Sequence, residues 1–181
     1  MKKASIRMKW TDDTSVVAYT LWGEARGEGK DGMWAVGCVI HNRAMAAREA
    51  KKHHPVGWRH PLYGDGTLRD ACLMPKQFSF WNDGGPKTLP IIGPTGDSSN
   101  RALALAFNLA QLLLAHTGED TTCGATHYLT VARYEEVPAD HWAHKMHITL
   151  KLGNHLFLKE GCDRVALAQP VEDEAKWLME N

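Results

Sequence analysis

Between Asp12 and Arg26, apolar and polar residues recur with a helical period. Thr11, Asp12 or Asp13 can cap that helix, and Gly27 can end it. Val17, Thr20 and Leu21 fall on one face, and Glu24 continues the series at i+7. The spacing therefore predicts a carboxylate projecting from an apolar face. A second helix is predicted from Gly32 to Ala50, with Met33, Val36, Gly37 and Ile40 as its inner stripe. Residues 53–97 are rich in proline and glycine and read as long loops with one short helix over Thr67–Leu73. So long an irregular stretch is usually a functional rim or lid. A third helix opens at Asp97, Ser98 or Ser99 and ends near Gly118. Leu103, Ala106, Phe107, Ala110, Leu113 and Leu114, with Leu105, Leu109 and Leu112, surround most of it, which predicts the central buried helix.

The period changes in the last third. Met146, Ile148, Leu150 and Leu152 alternate with polar residues, then Gly153-Asn154 precedes a second short run from Leu156 to Lys159. This is the pattern of a β-hairpin with a two-residue turn. It pairs Leu152 with His155 and Leu150 with Phe157, so His155 shares the apolar face. Residues 125–132 can add a third strand, and Val171–Met179 reads as a short acid-rich helix. The expected fold class is α+β, predominantly helical, with a small antiparallel sheet in the C-terminal third. The expected organisation is one catalytic domain over 1–181, with an extension at 1–10 and a helical tail at 165–181.

Composition narrows the function. Twenty-one basic residues balance 21 acidic ones, which argues against a general nucleic-acid binder. No apolar run is long enough to span a membrane. The basic start lacks the apolar core of a signal peptide, so synthesis in a cytoplasm is expected. Cys38, Cys72, Cys123 and Cys162 are scattered, and buried free thiols are the simplest reading. Seven tryptophans in 181 residues suggest a well-filled core or a groove that stacks flat ligands.

Chemistry concentrates in Trp22-Gly23-Glu24-Ala25-Arg26-Gly27-Glu28. Burial and the negative end of the helix dipole both disfavour an ionised carboxylate at the position expected for Glu24. A carboxyl that keeps its proton near neutral pH is what a general acid needs. The alternative is a glutamate turned to solvent or paired with an arginine. Glu28 reads either as a supporting acid or as a solvated or helix-capping residue. His141, His144 and His147, near His127 and His155, raise a zinc hypothesis. Without a His-Glu-x-x-His element, hydrogen-bonding histidines are the preferred reading, with no metal and no cofactor expected. Cys123, four residues before His127, reads as a packed thiol rather than a nucleophile. Gly84-Gly85-Pro86 and Gly93-Pro94 are turns, because no Gly-Lys-Ser/Thr follows to make a phosphate loop.

Taken in order, these residues resemble the catalytic domain of SleB-type cell wall hydrolases, the spore-cortex lytic enzymes and their phage relatives. The resemblance rests on Trp22–Glu28, Gly32, Ala35-Val36, Asn42-Arg43, Gln77-Phe78-Ser79, Gly124–Tyr128, Trp142-Ala143 and Gly153–Phe157. It spans roughly residues 12 to 160. It implies a lysozyme-like fold and a lytic transglycosylase that cuts the β-1,4 bond between N-acetylmuramic acid and N-acetylglucosamine. It carries the catalytic acid onto Glu24. Glu28, Gln77, Ser79, Trp81, His127, Tyr128, Trp142 and His155 become the expected substrate-binding residues, with Trp22 as a further stacking wall. A hydrolytic muramidase, a zinc amidase or peptidase and a non-catalytic wall-binding module are the alternatives. The expected partner is the peptidoglycan glycan strand, met by a monomer without nucleic acid or membrane insertion. The expected setting is a phage-type endolysin that acts on the wall. The chain departs from the family in longer loops at Lys51–Leu68 and Asp83–Asp97, and in Cys123, where asparagine is expected.

Overall fold

The structure is a computed structural model that describes residues 12–84 and 98–161. The extension at 1–10, Cys162 and the helix expected at Val171–Met179 lie outside the described residues.

Helix α1 spans Asp13–Ala25. Asp12 is its N-cap and accepts from the Ser15 amide at 2.7 Å, which satisfies one of the amides a helix start leaves open. Its apolar face, Val16, Val17, Thr20 and Leu21, is fully buried. Helix α2, Gly29–Lys51, starts three residues earlier than the periodicity indicates, so only Arg26–Glu28 separate it from α1. The expected stripe of Met33, Val36, Gly37 and Ile40 is buried. Helix α3 covers Leu68–Leu73 and is capped by Thr67, close to the expected segment.

Helix α4, Ser98–Leu114, differs from expectation. Leu103, Ala106, Leu109, Ala110 and Leu113 are buried, but Leu112 is 47% exposed, and Leu105, Phe107 and Leu114 are half-buried. The central helix is α2, in which every residue from Ala35 to Ile40 is buried. The reason is size. Small residues let neighbouring helices approach α2 closely: a Cβ added at Gly37 would stand 2.5 Å from Leu113 of α4. On α4, Leu112 stays exposed, while Leu105, Phe107 and Leu114 pack partly against the core.

Three antiparallel strands follow: β1 (His127–Thr130), β2 (His147–Leu152) and β3 (His155–Lys159), in the order β1-β3-β2. Between β1 and β2 lie the short α5 (Val131–Glu136), which the apolar pattern does not predict, and a 3-10 turn at Trp142–Lys145. The expected pairs Leu152–His155 and Leu150–Phe157 are both present. Strict alternation fails one step further on, where a register shift between Ile148 and Leu150 pairs Ile148 with Leu158. Thr149 is the extra residue of this bulge, which sends Ile148 to the opposite face from Leu150. The molecule is thus α+β and predominantly helical, with its sheet in the C-terminal part, as expected. Tyr128, Leu150, Leu152 and Phe157 bring one face of the sheet onto the helical core.

Candidate active site

Glu24 stands in the last turn of α1, half-buried. Three donors converge on its carboxylate, so its surroundings are polar rather than the apolar ones that the helical spacing predicts. Ser79 Oγ and the Phe80 amide donate to Oε1 at 3.0 and 2.8 Å, and Tyr128 Oη donates to Oε2 at 2.9 Å. Ser79 and Phe80 open a 3-10 turn over Ser79–Gly84, where a helical start leaves amides unused. Two contacts dock that turn on α1. The Trp81 indole N–H donates to Thr20 Oγ1 at 2.8 Å, one helical turn before Glu24. The Phe80 ring lies on Gly23 so closely that a Cβ there would meet Phe80 Cδ2 at 2.2 Å. Gly23 is therefore a requirement of packing, because only a hydrogen fits between helix and ring.

Tyr128 reaches Glu24 from β1. Its ring packs near Phe157 and His155, with centroids 5.7 and 5.6 Å away. Burial, with the Glu24 charge beside it, pushes the phenol well above its usual pKa. The hydroxyl therefore stays a donor. Two polar residues of α2 hold the chain entering β1. Asn42 Nδ2 donates to Ala125 O at 3.0 Å and to Asp120 Oδ2 at 3.1 Å, and Arg43 Nε donates to Thr126 O at 2.7 Å. Arg43 is only 4% exposed, and its guanidinium lies 4.9 Å from the Phe78 ring centre. Arg43 received no role from the sequence. Its signal is a cation that continues the buried stripe three residues after Ile40.

The expected site residues divide into groups. Glu24, Ser79 and Tyr128 meet directly, and Trp81 anchors the Ser79 turn from behind. Trp81 is half-buried against the core with its indole N–H already used. Glu28 turns toward the β2–β3 turn, where His155 Nδ1 lies 3.8 Å from Oε1 and the Asn154 backbone N–H donates to Oε2 at 3.4 Å. Glu28 caps no amide of α2 with its side chain. Gln77 is half-buried beside Phe78, and its backbone N–H donates to Met74 O. Trp22 is half-buried, with Arg26 4.7 Å from its ring centre and Phe80 edge-on at 6.2 Å. His127 follows strand alternation away from Tyr128 and joins Trp142 instead, with ring centres 5.1 Å apart. Burial, and then Arg43, push the His127 imidazole down to about 4. Trp142 is 42% exposed.

Among the described residues no three His, Cys, Asp or Glu side chains gather as metal ligands. His141 Nδ1 accepts from the Ala143 amide, and His144 Nε2 lies 3.2 Å from Val137 O. Cys38 and Cys72 are buried free thiols, pushed by burial up to about 11 and about 12. Cys123 is free and exposed at φ +53°, a left-handed conformation. Asparagine, expected there from the resemblance, adopts it more readily than cysteine.

Residues 27–158, well over half of the chain, match the family described as cell wall hydrolase. The chain belongs to that family. This cell wall hydrolase is accordingly an enzyme that degrades peptidoglycan. The match covers Ser79, Tyr128, Glu28 and His155, and begins three residues after Glu24. A solved structure, the catalytic domain of the Bacillus cereus SleB protein, is similar over 81% of this chain and 89% of that one. The identity is 24% and the TM-score 0.50, which shows a shared fold. No curated protein matches the chain. No described helix is long and apolar enough to cross a membrane.

Proposed function

We propose that this hydrolase is a lytic transglycosylase that cuts the β-1,4 bond between N-acetylmuramic acid and N-acetylglucosamine, with Glu24 as its one acid and base. The observation that carries the reading is the set of three donors on the Glu24 carboxylate. Oε1 accepts two of them and is held as an acceptor. Oε2 accepts one and keeps room for the proton that moves. Glu24 protonates the glycosidic oxygen through Oε2 as the bond breaks, leaving positive charge on C1 and the sugar ring oxygen. The carboxylate then takes the proton of the muramic acid C6 hydroxyl, and that oxygen bonds to C1 to give a 1,6-anhydro end. The donors from Ser79, Phe80 and Tyr128 stabilise the carboxylate between the two steps.

Retaining and inverting glycosidases use two carboxylates across the bond. Here the neighbouring Glu28 is engaged by Asn154 and His155, which supports a single-carboxyl scheme. Digestion of purified sacculi followed by mass spectrometry tests it. Anhydro ends, one water lighter than reducing ends, are expected. Reducing ends alone would make the enzyme a muramidase in which water attacks C1. New amino groups without cut glycan would make it an amidase or peptidase. The endolysin setting belongs to the same proposal. Lysis of expressing cells only after the inner membrane is permeabilised is the expected result, and lysis without that step would contradict it.

A further inference from the structure

Glu28 lies at the join of α1 and α2, and its side chain runs through space that two glycines keep open. A Cβ added at Gly32 would stand 2.2 Å from Glu28 Cβ, and one at Gly153 would stand 2.1 Å from Glu28 Oε2. Neither position tolerates a side chain without moving the carboxylate. Gly153 also needs its own freedom, at φ +53°. Such a passage is built, and it ends on the β2–β3 turn. The Asn154 backbone N–H donates to Glu28 at 3.4 Å, and Asn154 O accepts from the Val131 amide at 2.9 Å. The turn is thus tied to the helices on one side and to the end of β1 on the other.

The contact continues through His155. Its imidazole lies 3.8 Å from Glu28 Oε1, and the side chains of His155 and Glu28 are 13% and 26% exposed. The His155 ring then meets the Tyr128 ring at 5.6 Å, nearly perpendicular. Tyr128 ends on Glu24 Oε2. Glu28 and Glu24 are therefore joined through two rings, across a strand pair whose register places Tyr128 and His155 on one face.

We propose that Glu28 is a positioning residue that acts through His155 and the Gly153-Asn154 turn to hold the Tyr128 hydroxyl on Glu24. It replaces the sugar contact expected of Glu28 from the sequence. The inference rests on Glu24 and Tyr128 being the reacting pair proposed above. Its physical basis is that a misplacement on the order of 1 Å in a catalytic group costs up to about a hundredfold in rate.

A double-mutant cycle on solubilised glycan strands tests it, with kcat and KM measured for wild type, Glu28→Gln, Tyr128→Phe and the double variant. Glu28→Gln keeps the size of the side chain and removes its charge. We expect it to lower kcat about tenfold with KM within about twofold, and to lower kcat less than about twofold when Tyr128 is already Phe. Thermal unfolding should stay within about 3 °C of wild type. A raised KM with unchanged kcat would overturn the proposal in favour of sugar contact. Equal losses in both backgrounds would overturn it in favour of an independent role. Glu24→Gln is measured alongside. If that variant is active, the reading of Glu24 fails; if it is inactive and the cycle is additive, the positioning role alone fails.

Discussion

Replacing Gly23 by alanine should uncouple activity from stability. The added Cβ would lie 2.2, 2.4 and 2.9 Å from Cδ2, Cγ and Cβ of Phe80. Carbon atoms rest at about 3.5–4.0 Å, so the ring must retreat by roughly 1.3 Å or more. Because Phe80 Cβ itself is too close, rotating the ring does not relieve the clash and the backbone must follow. The Phe80 amide donates to Glu24 at 2.8 Å, and such a shift carries it past hydrogen-bond range. Overpacking costs about 1–3 kcal/mol, while alanine in place of glycine within a helix returns about 1 kcal/mol. The net loss of stability is then about 0–2 kcal/mol, or less than about 8 °C in Tm for a chain of this size. Displacing a contact to the catalytic carboxylate by on the order of 1 Å costs up to about a hundredfold in rate, so a loss of about 10- to 100-fold in kcat is expected. Gly27 supplies the control, because a Cβ there meets nothing within 4 Å. The assay is turbidity loss of purified sacculi with parallel thermal melts. Gly23→Ala within threefold of wild-type activity, or Gly27→Ala equally damaging, would refute the reasoning.

Tyr128→Phe should lower kcat about tenfold or more, through loss of the donor to Oε2, with KM little changed in the same assay. Cys123→Asn should raise stability by up to about 1 kcal/mol in urea titrations, because Cys123 holds φ +53°. The His127 imidazole is pushed down to about 4, first by burial and then by Arg43. The unfolded chain therefore binds the proton first, and His127 favours folding fully above its ordinary pKa near 6.5. That contribution falls as pH drops toward about 4. The urea midpoint should fall less between pH 7 and pH 4.5 in His127→Gln than in wild type. Thiol labelling of the native protein should modify Cys123 well before Cys38 and Cys72, which are buried and pushed up to about 11 and about 12.

What was legible in the sequence follows from how local each feature is. Glu24 on the apolar face of α1 was readable because a helix repeats its faces every three to four residues. The pairs Leu152–His155 and Leu150–Phe157 were readable because a two-residue Gly-Asn turn fixes register. The bulge at Thr149 was not, since one extra residue leaves the apolar alternation of the strand intact while moving Ile148 to the other face. Helix α4 was misplaced because an apolar circumference does not say which neighbours come close enough to cover it. Ser79 and Tyr128 meet Glu24 across 55 and 104 residues of chain, a separation no local pattern encodes. His127 and Tyr128 are neighbours in sequence, and strand alternation sends them to different surroundings. Gly23, Gly32 and Gly153 carried the missing information as close approaches, which become readable only once the partners Phe80 and Glu28 are placed.

The most direct test of the central claim is to weigh the soluble fragments released from purified sacculi by wild type and by Glu24→Gln at equal folded concentration. The account predicts fragments with anhydro ends from the wild type and release reduced at least about a thousandfold in the variant. Fragments of the same mass released by Glu24→Gln at near wild-type rate would contradict it.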